Sequence, residues 1–433
     1  MRLGRGIKGE PAVAARGPSV PLRALMALFL AVFLAMGGAG TLTTVLSLRL
    51  DAEAVGAVTL GAVMAAYFFG LTLGSLSAHW AIRRVGHIRA FAAFLSLFSA
   101  AALGHALTTD TLAWGGLRAV EGYCMAGVLI CVESWLNQKA TALNRGKILA
   151  FYMVCLYGGY GAGQFLLRLD HGGGAVFAAS SILLSVALIP VALTRQSPPE
   201  LPTVASMGLR RLYEGSPLGA AGALVSGVVS GALYTLGPVY ALRLGYDSAH
   251  AGLFMGATIL GGMVLQWPLG WLSDHFDRRR VLVGVFGGLA LVGVWLAVAP
   301  PDLLPWLLAG AVLYGGMVFV VYPLSVAQTN DRLEATEMVA ASGALVLLYS
   351  VGATIGPLAA SVAVKMMGGA GLMAFTALAS AALVAFGLWA MRRRPPVPAD
   401  LQGPFVAMPR TTPVVGVLAS DESEDDHTAR PMK

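Results

Sequence analysis

The chain has 433 residues, of which 57% are hydrophobic and 12% charged, with a mean hydropathy of +0.73. Soluble domains carry roughly a quarter charged residues, so this composition excludes an ordinary water-soluble enzyme or binding domain and places most of the chain in lipid. The net charge of +7 does not by itself mark a nucleic-acid binder, because its meaning depends on where the basic residues sit.

A helix of roughly 20 apolar residues crosses a hydrocarbon core of ~30 Å. Twelve such runs are expected in chain order, at 22–48, 54–78, 88–107, 112–135, 148–167, 175–194, 218–242, 249–272, 281–299, 304–328, 339–363 and 370–391. None shows the ten-residue alternation of a membrane barrel. Several hold Gly or Pro, which helices in lipid tolerate when neighbours re-satisfy the freed backbone groups. Ahead of the first run, residues 1–21 carry Arg2, Arg5, Lys8 and Arg16. The run behind them exceeds the roughly 7–15 residues of a signal peptide's apolar region, so it is read as a retained helix.

With the N-terminus, the even-numbered loops and the C-terminal tail on one side, that side holds 24 of the 29 basic residues. The odd loops hold Arg49, Arg168, Arg243 and Lys365. This asymmetry is the positive-inside pattern, so both termini are expected in the cytoplasm and the basic balance records orientation, not nucleic acid.

The chain also repeats. Leu22 and Leu218 lie 196 residues apart, as do "GSLS" at Gly74 and "GWLS" at Gly270. Two six-helix halves follow, at 22–194 and 218–391, joined by a Pro-rich, charged cytoplasmic linker at 195–217. Residues 392–433, with "RRRPPVP" and "SDESEDD", have too little apolar surface to fold alone and are expected to form a disordered cytoplasmic tail. Cys124, Cys131 and Cys155 fall inside predicted helices without metal-ligand spacing, and the scattered histidines suggest no metal. No phosphate-binding loop, metalloprotease or nucleophile-elbow motif is present, so no catalytic site, metal or cofactor is expected.

Arg118 and Glu121 stand inside the fourth span, where a charge costs roughly 2.5–3.5 kcal/mol on insertion scales. At about 1.5 Å per residue from Leu112, Arg118 lies roughly 9 Å deep and Glu121 roughly 14 Å. Their i,i+3 spacing puts them on one face. They form either a structural ion pair or a cavity site in which Glu121 exchanges a proton, and the second reading is favoured. Glu133 belongs at the cytoplasmic edge, beside Arg145 or Lys147.

The loop after the eighth span, "GWLSDHFDRRR", holds five charges between Asp274 and Arg280. Twelve spans in a 6+6 repeat with G-x-L-S-D and an arginine cluster at this place resemble the major facilitator superfamily of secondary transporters, over about residues 20–393. Gly270, Leu272, Asp274, Arg278, Arg279 and Arg280 carry the second-half motif. The first half keeps Gly74 and Leu76 but has Ala78 where the acid belongs, with Gly86, His87 and Arg89 displaced. Arg118-x-x-Glu121-Gly122 resembles the family's fourth-helix pattern, and "GHIRAFA", "ESWLN", "NRGK" and "YPLSVAQTNDR" resemble its YcaD-type branch.

The resemblance implies an all-α integral membrane protein with twelve transmembrane helices in the major facilitator fold. It implies rocking of the halves about a midplane site. Asp274 and Arg278 to Arg280 would latch the cytoplasmic mouth, with Glu133, Arg145, Asp331 and Arg332 as edge partners. Gly159, Gly163, Gly356 and Pro357 would kink the fifth and eleventh helices. Helices one, four, seven and ten would line the path, offering Tyr123, Ser230, Tyr234, Tyr314, Tyr322 and Gln328, with Gln164 and Gln266 from flanking helices. The expected function is proton-coupled transport of a small organic solute across the inner membrane by a monomer, with export favoured. An uncoupled facilitator and a non-transporting receptor or scaffold are the alternatives.

Overall fold

The computed structural model describes residues 22–141, 144–169, 174–194, 199, 207–298, 303–398, 401–409 and 412. The expected N-terminal segment 1–21, residues 195–198 and 200–206 of the linker, and most of the tail beyond Met408 lie outside the described residues.

The chain is helical from α1 (Leu22–Ala52) through α2 (Ala57–Val85), α3 (His87–Gly104), α4 (Thr111–Lys139) and α5 (Arg145–Gly163). A 3₁₀ turn (Gln164–Leu169), α6 (Ala175–Val186) and α7 (Leu188–Ala192) complete the first half, and the short α8 (Leu209–Gly215) sits in the linker. The second half comprises α9 (Pro217–Arg243), α10 (Ser248–His275), α11 (Arg278–Ala297), α12 (Leu304–Asn330), α13 (Ala335–Met367) and α14 (Ala370–Arg393). Helix starts follow ordinary capping chemistry: Asp110 accepts from the Ala113 amide at 2.7 Å and Asp247 from the His250 amide at 2.9 Å.

Among the described residues, eleven spans are long and apolar enough to cross a membrane, with α6 and α7 forming one of them. The expected fifth span is not among these, so the count of twelve is not met. Tyr152, Tyr157, Tyr160 and the glycines from Gly158 to Gly163 dilute the apolar character of α5, and its α-helical hydrogen bonding stops at Gly163. The helix nevertheless packs along α1 and α10.

Helix pairing repeats between the halves. In the first, α1 packs on α5, α2 on α4 and α3 on α6; in the second, α9 packs on α13, α10 on α12 and α11 on α14. With no hydrophobic drive between helices in lipid, such pairs rely on close backbone approach at small residues. Gly159 of α5 lies against the Phe33 carbonyl of α1, and Gly356 of α13 occupies the equivalent place against the Val228 carbonyl of α9. Gly163 likewise meets the Gly37 carbonyl. These glycines, expected to kink their helices, serve as packing surfaces, and α13 continues through Gly356 and Pro357.

The halves meet through α2 with α13, α5 with α10, and α1 with α9. At the end away from the arginine loops they are shut. A Cβ placed on Gly61 of α2 would lie 2.8 Å from the Pro357 carbonyl oxygen of α13. One on Gly252 of α10 would lie 3.0 Å from the Gln164 carbonyl oxygen. Arg243 at the end of α9 binds Asp51 of α1 at 2.8 Å, an ion pair between the halves. At the basic end α5 and α10 diverge around a groove of about 970 Å³ that runs from Ala150 and Met153 to Gly270 and Asp274.

Adding one methyl group tests the backbone approach. Gly159→Ala should destabilise the folded protein by about 1–3 kcal/mol, because the carbonyl it meets cannot yield. Gly115→Ala, whose Cβ would have nothing within 4 Å, should not. Apparent melting temperatures in detergent read the difference.

Candidate functional site

A central cavity of about 120 Å³ lies between the halves. Tyr67 of α2, Tyr157 and Tyr160 of α5, Tyr234 of α9 and Tyr349 of α13 line it, with Thr43 of α1 adding a hydroxyl. The remaining wall is apolar, including Met36, Met125, Leu129 and Leu156. Tyr160 and Tyr234 meet across the halves with ring centroids 5.2 Å apart, and Phe319 of α12 backs Tyr157 at 5.0 Å and Tyr234 at 6.0 Å. The lining, mostly apolar with a few placed hydroxyls, is of the kind that holds a small organic molecule.

Behind that wall lies a charged cluster. Arg118 donates from Nη1 to Glu121 Oε2 at 2.8 Å, and His105 Nε2 lies 2.9 Å from Glu121 Oε1. The three residues are 1%, 0% and 2% exposed, so none is solvated. Arg118 Nη2 reaches the Thr43 hydroxyl at 3.4 Å, and its guanidinium carbon stands 4.4 Å over the Tyr67 ring. A cation at that distance is held by the ring's quadrupole. His105 stacks on Phe177 and meets Trp114 edge-on, and its Nδ1 has no hydrogen-bond partner among the described residues. Removing one member of such a buried pair costs about 3–5 kcal/mol, because the other charge is left uncompensated.

The cluster corrects one expectation. Arg118 and Glu121 do pair, but neither lines the cavity; Thr43 and Tyr67 stand between. Among the expected polar contacts only Tyr234 lines it. Tyr123 packs edge-on against Phe94 and lies 3.5 Å from the Ser77 hydroxyl, tying α4 to its neighbours. Gln164 accepts from Thr44 at 2.8 Å and donates to the Tyr160 carbonyl at 3.1 Å, stapling α5 to α1. Ser230, Tyr314 and Tyr322 are buried in helix packing. Tyr322 meets Tyr349 edge-on at 5.2 Å, so α13, not α12, presents the tyrosine to the cavity. Gln266 lines the side groove, and Gln328 a crevice of about 260 Å³ at the basic end.

The residues expected to latch the basic end form an ion-pair network built around Arg278. Its Nη1 lies 2.7 Å and 2.8 Å from the two oxygens of Asp331, its Nη2 3.0 Å from Asp274, and its Nε 2.9 Å from the Ser273 hydroxyl. These bonds join α10, α11 and α12, all in the second half, so the latch does not itself cross to the first. Arg279 pairs with Asp277 at 2.8 Å, and the exposed Arg280 stands 3.7 Å from the same carboxylate. Burial pushes the Asp331 carboxyl up to about 6, further than Arg278 pulls it down.

In the first half Gly74 abuts the Tyr123 carbonyl oxygen, and Gly86 makes the turn into α3 at a φ of +86°. Arg89 is exposed on α3. Glu133 is fully buried and accepts from the Tyr152 hydroxyl at 2.8 Å, while Arg145 is buried in the first turn of α5.

The described part of the tail, expected to be disordered, packs onto this end. Arg332 donates to the Pro395 carbonyl at 2.8 Å and Arg279 to the Arg394 carbonyl at 2.7 Å. Arg394 caps α8 through the Glu214 and Gly215 carbonyls at 2.8 Å and 2.9 Å. Met408 is 5% exposed, and Pro409 forms part of the cavity wall.

The family model described as Major Facilitator Superfamily matches residues 28–357 and 268–418. The chain belongs to that superfamily and is a membrane transporter of its class. Its relatives include a protein of Escherichia fergusonii named "Uncharacterized MFS-type transporter YcaD", 30% identical over 348 residues, covering 78% of this chain and 88% of the relative. An MFS-type transporter of Yersinia pestis is 31% identical over 325 residues, covering 73% of this chain and 82% of that one. Among solved structures, the nucleoside transporter NupG aligns over 86% of this chain and 99% of its own, with a TM-score of 0.73 at 13% identity. A bacterial homolog of the human lysosomal transporter Spinster, inward-facing and occupied, aligns over 88% and 97% with a TM-score of 0.68 at 14% identity. At such identities these structures show the fold alone.

Asp331 generates a pH signature. Its folded value, about 6, lies above the ordinary 3.8, so over that interval the folded chain holds a proton that the unfolded chain has released. Stability from this group is therefore full at low pH and lost as pH rises through that window. Asp331→Asn should flatten the fall in melting temperature between about pH 4 and pH 6.

Proposed function

We propose that the chain is a proton-coupled secondary transporter of the cytoplasmic membrane, working as a monomer, that exports a small organic solute by alternating access. The observation that carries this reading is a carboxylate, Glu121, buried with Arg118 and His105 directly behind a tyrosine wall. The basic end faces the cytoplasm, as the distribution of lysine and arginine requires. The conformation is then inward-facing: Asp51 and Arg243 close the outer end, and the side groove opens at the inner one.

The lining argues for a solute with a flat apolar body and one or two hydrogen-bonding groups. Five tyrosine rings offer stacking faces, Thr43 and the phenols offer hydroxyls, and no charged side chain lines the cavity among the described residues. A solute of this kind partitions into the inner leaflet and can enter through the groove between α5 and α10, beside the exposed Trp267 and Trp271. That route supports export.

Coupling follows from the electrostatics of the cluster. His105 lies at the outer end of α3, between Glu121 and the external side, in position to pass a proton inward through Nε2. Protonation of Glu121 removes the counter-charge of Arg118. The uncompensated guanidinium then acts on Tyr67 and Thr43, which are the cavity wall. A coupling of 1–3 kcal/mol, about 5–150-fold in affinity, is typical of two-site linkage.

Proteoliposomes containing a trapped pH dye, exposed to a panel of neutral aromatic solutes, test the reading. Wild-type protein should move protons against at least one solute. Glu121→Gln should abolish that movement while solute counterflow persists with its affinity shifted by about 5–150-fold, since exchange needs no net protonation and the neutral side chain mimics the protonated state. Wild-type solute flux without proton movement would overturn the coupling.

A further inference from the structure

We infer that the basic-end mouth is a binding site for an extended peptide, and that residues 403–409 of the chain itself, with Thr412, are its resident ligand, a tethered plug of the transport cavity. The plug rests on the transport reading only for its consequence; the binding site stands on its own geometry.

Recognition of the segment is by backbone. Arg278 Nη2 donates to the Gly403 carbonyl at 2.7 Å, the Gly403 amide donates to Asp331 at 3.1 Å, and the Phe405 amide donates to Asp274 at 2.8 Å. Arg278 thus donates to, and Asp331 and Asp274 accept from, the backbone of alternate residues of an extended chain. Main-chain bonds supply affinity and side-chain pockets supply choice, as in other extended-peptide sites. The pocket here is Gly270, whose missing side chain leaves the space taken by the Phe405 ring. The glycine of the loop motif makes room for that ring rather than a turn, since it lies inside α10.

The segment then passes from one half to the other. Phe405 and Ala407 line the groove between α5 and α10, Met408 is buried, and Pro409 closes the wall of the tyrosine cavity. Thr412 donates its hydroxyl to Glu133 of α4, in the first half. A second-half latch that lacks any bond of its own to the first half is thereby joined to it. While the segment is bound, a solute cannot pass between the cavity and the basic end. Closing that end around a substrate also requires the segment to leave.

Tethering makes such a site effective even when its intrinsic affinity is weak. A short flexible connection gives an effective concentration on the order of millimolar. Arg394 and Pro395 are already pinned to α8, Arg279 and Arg332, which shortens the free tether further.

The test reads cavity access without any substrate. A Leu129→Cys reporter is placed in the cavity wall of the full chain, and its labelling by a water-soluble maleimide is followed in detergent, with the buried native cysteines as background. Adding Phe405→Asp should accelerate labelling at least tenfold, and a synthetic peptide of residues 402–412 should slow it again. Where Phe405→Asp does not fold, Gly403→Pro, which removes the amide hydrogen donated to Asp331 and fixes the backbone there, carries the same expectation. Unchanged labelling in either folded variant would overturn the plug, whatever the transport assay shows. Faster labelling without flux of any solute would keep the plug and count against the transport reading.

Discussion

Glu121 has no water to solvate it, and the centre of the first half is arranged around that fact. Both of its oxygens are engaged, one by Arg118 and the other by His105. Arg118 in turn needs the Tyr67 face and the Thr43 hydroxyl, which draws α1 and α2 onto α4. The same chain of requirements puts the cluster's response into the cavity wall. Stability and the proposed coupling are therefore not separable at this point: whatever changes the charge on Glu121 changes the residues that touch a solute.

The repeat in the chain produces two halves with matching helix pairs, yet their ends are secured by different chemistry. At the outer end one ion pair, Asp51 with Arg243, joins the halves directly. At the basic end the Asp274, Arg278 and Asp331 network is confined to the second half. The first half has Ala78 where an equivalent acid would stand, and that residue is packed in the interior. The proposed plug fits this asymmetry, because it adds the cross-half connection that the degraded loop cannot make.

How much of this was legible in the sequence differs by element, for physical reasons. Long apolar runs and the 196-residue repeat report directly on lipid burial, so the helical architecture and its duplication could be read. The α5 span is the exception, because its tyrosines and glycines belong to the cavity and to the α1 contact and so dilute the lipid-facing signal. The Arg118 and Glu121 pair was legible because charge in lipid is costly. His105 was not, since one histidine at a helix end carries no spacing signal. The cavity tyrosines at Tyr67, Tyr157, Tyr160 and Tyr349 depend on how each helix is rotated, which hydropathy cannot report. The closest hint was the i,i+3 pair Tyr157 and Tyr160 on a helix otherwise rich in glycine. The tail was read as disordered because it is poor in apolar residues, a rule that misses segments held by their backbone.

The pair that shuts the outer end has one further property. Asp51 and Arg243 are 19% and 30% exposed, so the fluid bathing that end reaches both. Dissolved ions screen such a pair, with a Debye length near 8 Å at about 0.15 M and near 3 Å at 1 M. The hold of this end therefore depends on the salinity of the fluid on its own side of the membrane. Through this surface pair the contact between the halves is exposed to the ionic strength of its surroundings.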